Sequence, residues 1–167
     1  MLRNTVLEAR DIWKGNGRQS WVLHGIRLEI MEGDFIAILG GPAAGKTTLL
    51  KVLSFRDAPD QGAVYFEGRL VGRTGARELE QMCSERVWFI DGGLEKEKIQ
   101  PNGRLAAVLL DEPEREHELP KQIRDLNRAG VAVVLATRNP EVASLAPLIY
   151  KLNDGKLEKL TDGEKME

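Results

Sequence analysis

The stretch Gly40-Gly41-Pro42-Ala43-Ala44-Gly45-Lys46-Thr47 carries the spacing G-x-x-x-x-G-K-[ST]. By average composition, a chain of this length meets that pattern by chance in roughly one case in a few hundred. The chemistry it suits is the grip of a polyphosphate. Successive backbone N–H groups of such a loop turn inward on one anion. Gly40 and Gly45 allow the dihedrals and close approach this requires. Lys46 would neutralise the β- and γ-phosphates, the Thr47 hydroxyl would ligate Mg²⁺, and Thr48 would donate to a phosphate oxygen.

A second group of candidates is Asp111 and Glu112, in Val108-Leu109-Leu110-Asp111-Glu112-Pro113. Carboxylates at the end of a buried strand lie beside the phosphate loop in a doubly wound sheet. Asp111 would hold Mg²⁺, and Glu112 would orient a water and accept its proton. Without the upstream loop, Asp-Glu-Pro would read as an ordinary polar turn.

Several elements must position these residues. Phe35-Ile36-Ala37-Ile38-Leu39 is continuously apolar, as a strand buried on both faces is. It feeds the loop, and a helix from Thr48 to Leu53 is expected beyond it. Val6–Arg10 and Ile26–Ile30 alternate apolar and polar residues, which predicts half-buried antiparallel strands. Further strands are expected at 63–66, 87–90, 105–110 and 131–136. Helices are expected at 76–83, 116–128 and 141–145, with a closing hairpin around Asp154-Gly155. Strands alternating with helices predict an α/β fold, a mostly parallel sheet flanked by helices with an antiparallel β part at the N-terminus. Residues 91–103, rich in Gly and charge, read as a loop.

Composition narrows the classes. The chain has 167 residues, 42% hydrophobic and 30% charged, with a net charge of −2. That balance suits a soluble protein and gives no basic excess to favour nucleic acid or anionic lipid. No run approaches the length of a membrane span, and the first residues lack a signal-peptide core. A cytoplasmic location is expected, peripheral to a membrane only through a partner. One cysteine, Cys83, excludes an intrachain disulfide and reads as incidental. His24 and His117 lack companions for a metal site. Glu95-Lys96-Glu97-Lys98 reads as a solvated loop.

On these residues the chain resembles the nucleotide-binding domain of ABC transporters. Val22 to Phe35 looks like the family's lead-in to the phosphate loop. Gly62 to Gly68 looks like the strand after its first helix. Leu109 to Pro113 resembles its Walker B, 136–143 its switch region and 153–157 its C-terminal hairpin. The resemblance implies one nucleotide-binding domain over 1–167, with ATP and Mg²⁺ as cofactors. It implies a homodimer or membrane-protein partner and no nucleic acid. Trp13 is the nearest substitute for the adenine-stacking aromatic, and it suits a core position equally well.

The departures from the family are specific. Its helical subdomain and Leu-Ser-Gly-Gly-Gln signature would have to fit in about 91–104, where there is no room for several helices. Asn102-Gly103 lies too close to Val108 to be that signature. Asp91 stands where the family has its Q-loop glutamine, and Arg138 where it has its switch histidine. The Arg138 cation retains the ability to contact a γ-phosphate. Residues 114–117 do not look like the family's D-loop. Family members hydrolyse ATP as head-to-tail dimers whose signatures clasp the opposite nucleotide. Binding is therefore expected to survive and hydrolysis to be slow. The alternatives are a non-catalytic nucleotide-responsive module and, less well supported, a small kinase using Arg69, Arg73 and Arg77.

Overall fold

The computed structural model describes residues 2–92, 103–113 and 118–160. Two sheets pack around one helix. The first has the order β2-β1-β4-β5, built from β1 (Thr5–Gly15), β2 (Trp21–Met31), β4 (Gln61–Phe66) and β5 (Arg69–Leu70). Each neighbouring pair in it is antiparallel. The second has the order β10-β9-β3-β8-β7-β6. Its members are β3 (Phe35–Leu39), β6 (Val87–Asp91), β7 (Ala107–Asp111), β8 (Ala132–Thr137), β9 (Leu148–Asn153) and β10 (Lys156–Lys159). Five run parallel, and β10 returns antiparallel on β9. This is the α/β, mostly parallel arrangement with an antiparallel N-terminal part that the sequence predicts.

The continuous apolar runs follow from burial on both faces. Ile36 and Ile38 of β3, with Val134 and Ala136 of β8, face α1 (Lys46–Leu53) and the first sheet. Ala37 of β3, with Val133 and Leu135 of β8, faces α3 (Leu119–Arg128) and α4 (Pro140–Ala143). Alternate residues of one strand thus serve two cores. Leu49, Leu50 and Leu53 are fully buried, so α1 is the shared layer between the sheets.

Boundaries differ from expectation where local chemistry decides them. Helix α1 starts at Lys46, two residues early, because Gly45 takes a left-handed φ of 103° and turns the chain directly into helix. The first two strands are longer than their alternating cores, since pairing continues to Gly15 and Trp21. Helix α3 has Pro120 in its first turn, and 114–117 lie outside the described residues. Helix α4 begins at Pro140, where the Asn139 side chain accepts from the amide of Glu141. Helix α2 (Ala76–Glu85) and β6 lie close to the expected positions, and residues 92–106 connect β6 to β7. Glu95–Lys98 and Asn102 lie outside the described residues, as does His117.

Candidate functional site

Strands β3 and β7 end on the same edge of the sheet, separated only by β8. The phosphate loop leaves β3 there, and the Asp111-Glu112 pair ends β7. The loop is anchored at its first residue: the Gly40 amide donates to the Thr137 carbonyl at 3.1 Å. A Cβ on Gly40 would come within 2.7 Å of the Leu152 carbonyl, so only glycine fits. At the other end, a Cβ on Gly45 would lie 3.0 Å from Leu23 and 3.2 Å from the Val22 carbonyl. The loop is therefore clamped between β9 and β2. Gly41, Pro42 and Ala43 are exposed between these anchors, with Ala44 half-buried. Among the described residues no side chain caps α1, so its leading amides stay available to an anion.

Four side chains meet at this edge. The Lys46 ammonium is buried and donates to the carbonyls of Gly40 and Gly41 at 2.7 and 2.8 Å. It also lies 3.3 Å from Oε1 of Glu112. The Thr47 hydroxyl donates to Oδ2 of Asp111 at 2.5 Å. Oδ1 of Asp111 is buried with no hydrogen-bond partner among the described residues. Such an orphaned carboxylate oxygen beside a hydroxyl is a donor set that fits a hard divalent cation.

The electrostatics point the same way. The Asp111 carboxyl is pushed above its ordinary range, chiefly by burial. The Thr47 hydrogen bond and Lys46 oppose that rise, while Asp91 and Glu112 add to it. Asp91 is the register partner of Asp111 on β6, so its charge lies across one strand spacing. Glu112 holds a left-handed backbone at φ 45°, a conformation that costs a non-glycine residue energy. Its amide donates to Ala136, fixing the turn. Backbone strain of this kind concentrates at functional positions.

Other residues fall around this edge. Thr48 is half-buried in the first turn of α1. Arg138 is exposed, and its backbone amide donates to Oε2 of Glu112 at 3.3 Å. Trp13, near the end of β1, sits in a cluster that sequence reasoning did not foresee. Its ring stacks on His24 at 5.6 Å and meets the edge of Trp21 at 5.4 Å. Trp21 precedes Val22, which backs Gly45, so the cluster sits next to the phosphate loop. No local pattern could reveal it, because β1 and β2 bring Trp13 and Trp21 together only through pairing. Cys83 lies against the Ser54 carbonyl, and burial pushes its thiol up, in keeping with an unreactive sulfur. A cleft of about 630 Å³ beside α2 contains none of the site residues.

Residues 23–91 match the family model for ABC transporters. The solved dimer of the ATP-binding cassette MJ0796, bound to ADP and phosphate, superposes with a TM-score of 0.75. That alignment covers 93% of this chain and 99% of the other at 19% identity. Residues 23–91 carry the ABC-transporter family match, and the chain has the fold of an ABC-type P-loop NTPase domain. An uncharacterized ABC transporter ATP-binding protein of Thermotoga maritima is 36% identical over 89 residues. The match takes in 51% of this chain and 38% of that protein. The macrolide export ATP-binding/permease protein MacB of Nitrosomonas europaea is 31% identical over 140 residues, 80% of this chain and 21% of that one. The ABC-type domain thus spans about a third of the length of the first curated relatives it matches. Among its described residues, no helix is long and apolar enough to cross a membrane.

Proposed function

We propose that this domain binds a nucleoside triphosphate, ATP by resemblance, together with Mg²⁺, and hydrolyses it slowly. The observation that carries the reading is the joined set Lys46–Glu112 and Thr47–Asp111 at the mouth of the loop. Loop amides and Lys46 hold the phosphates, with Gly40 to Gly45 as the cradle. Thr47 and the buried Asp111 hold the cation, which supplies charge neutralisation for the transferring phosphoryl group. Glu112 orients water and takes its proton. Trp13, with Trp21 beside it, offers the base an aromatic surface.

Slow turnover follows from charge. Phosphoryl transfer is catalysed mostly by positioning and by cations around the γ-phosphate. Residues 92–106 leave little room for a helical subdomain and its signature, which we place as reduced to about 91–104. The domain relates to subunits that work as dimers or beside membrane proteins. We accordingly propose a second copy or a membrane protein as partner, on the cytoplasmic side.

Calorimetry of Mg²⁺–ATP binding, with phosphate release followed on the same sample, tests this. Binding lost in Lys46→Ala and turnover lost in Glu112→Gln are expected. Wild-type protein without affinity for Mg²⁺–ATP, ADP or GTP would sink the reading. A second reading, a nucleotide-responsive module without turnover, is favoured by Asp91 and Arg138 at two family positions. It predicts ATP-induced stabilisation with phosphate release no faster than in Lys46→Ala.

A further inference from the structure

We propose that β6 is a docking edge for a second copy of this chain, the two β6 strands pairing antiparallel about a two-fold axis at Phe89. The inference goes beyond the nucleotide reading and does not rest on it.

Strand β6 ends the six-stranded sheet, with β7 as its one neighbour there. The bonds to β7 fix which groups point outward. The Arg86 carbonyl accepts the amide of Ala107, and the Gly92 amide donates to the Asp111 carbonyl. Successive residues of a strand turn their main-chain groups to opposite sides. Arg86, Trp88, Ile90 and Gly92 therefore serve β7. Val87, Phe89 and Asp91 turn amide and carbonyl away from the sheet. Among the described residues, no backbone group bonds to them there.

Such an edge is ordinarily guarded by charge, by proline or by a very short strand. The opposite edge of the sheet is guarded, since β10 reads Lys156-Leu157-Glu158-Lys159. Strand β6 reads Val87-Trp88-Phe89-Ile90-Asp91 and is apolar until its last residue. Trp88, Phe89 and Ile90 are only half-buried. Trp88 and Ile90 pack against one core and Phe89 against the other. Both faces of this edge thus leave apolar surface in water, and its unpaired groups form a template for another strand.

The pattern selects a second copy because it is self-complementary. With Phe89 opposite Phe89 of the partner subunit, Val87 lies opposite Asp91 of the partner subunit. This is the one two-fold antiparallel register in which every outward amide and carbonyl of both strands is bonded. Trp88 then stands opposite Ile90 of the partner subunit on one face. On the other face the two Phe89 rings meet, and cross-strand pairs of these kinds stabilise sheets. No like charges stand directly opposite each other. Pairing β6 with the charged β10 edge of a neighbour would build an open filament, whereas the two-fold contact uses each β6 once and closes.

The test uses nucleotide-free protein in EDTA, so that association through bound ATP plays no part. Sedimentation across a dilution series should show a species of twice the chain mass. Amide exchange, read residue by residue, should slow at Val87, Phe89 and Asp91 as the dimer fills. Trp88 and Ile90, bonded to β7, should stay protected at every concentration. Phe89→Lys and Phe89→Glu should each be monomeric, because like charges would face each other across the axis. Mixed in equal amounts, the two variants should recover the dimer. Wild type that stays monomeric without nucleotide overturns the proposal, as does a dimer that forms only with Mg²⁺–ATP. Protection at Phe89 that persists in the sedimenting monomer overturns it too, and assigns the edge to another segment of the same chain. If either charged variant fails to fold, the wild-type exchange decides alone. Loss of nucleotide binding, measured separately, bears only on the phosphate-loop reading.

Discussion

The Thr47 hydroxyl donates to Oδ2 of Asp111 at 2.5 Å, joining the first turn of α1 to the end of β7. The other Asp111 oxygen is buried without a partner among the described residues. A bound cation would supply the partner that this oxygen lacks.

Asp111→Asn should therefore stabilise the nucleotide-free protein at neutral pH. The Asp111 carboxyl is raised above its ordinary range, mainly by burial. For a raised acid the penalty is absent below the ordinary carboxylate pKa, grows as pH climbs to the raised value, and is full above it. The gain in melting temperature should thus appear near pH 7 and vanish in acid. The Mg²⁺-dependent part of nucleotide affinity should be lost in the same variant. A variant that melts lower than wild type at neutral pH would contradict this.

Glu112 is both charged and bent. Glu112→Gln should retain Mg²⁺–ATP binding while phosphate release falls about 10²–10⁴-fold. Its φ of 45° gives a second handle. Glu112→Gly should be more stable than Glu112→Ala by about 1 kcal/mol, since glycine bears the left-handed backbone without a Cβ penalty. Urea denaturation of the pair checks it.

The C-terminal hairpin is a structural support of the loop. A Cβ on Gly155 would lie 2.2 Å from the Val22 carbonyl, and Val22 in turn backs Gly45. Gly155→Ala should cost about 2 kcal/mol or more and weaken nucleotide binding. Gly68 shares a positive φ, 79°, but has open space around its Cβ position. Gly68→Ala should cost only about 1 kcal/mol and leave binding unchanged. Equal costs at both positions would show that the close approach is unimportant.

Trp13 and Trp21 should report on the base. Trp13→Ala should weaken ATP binding by about 1–3 kcal/mol, the range for lost base stacking. Affinity for inorganic tripolyphosphate, which has no base, should stay as in wild type. Parallel losses for both ligands would instead mean that the aromatic cluster supports the loop.

The phosphate loop and the Asp-Glu pair were legible because each is a local pattern. Gly40 to Thr47 encodes its own backbone shape, and 35–39 and 108–110 announce buried strands by being apolar throughout. The mostly parallel sheet, the antiparallel N-terminal part and the order of most elements followed from the same periodicities. The starts of α1 and α3 were less legible, because a left-handed Gly45 and Pro120 set those helix starts.

Sequence alone determined the loop that would serve as a polyphosphate cradle, since spacing and residue type suffice for a glycine-framed turn ahead of a lysine. Tertiary structure decided what surrounds it. Strand register set Asp91 across from Asp111, pairing of β1 with β2 closed Trp13 on Trp21 and His24, and the hairpin placed Leu152 and Gly155 against the clamp. Those contacts join residues far apart in the chain, and their distances depend on packing of whole layers, which no local run of residues specifies.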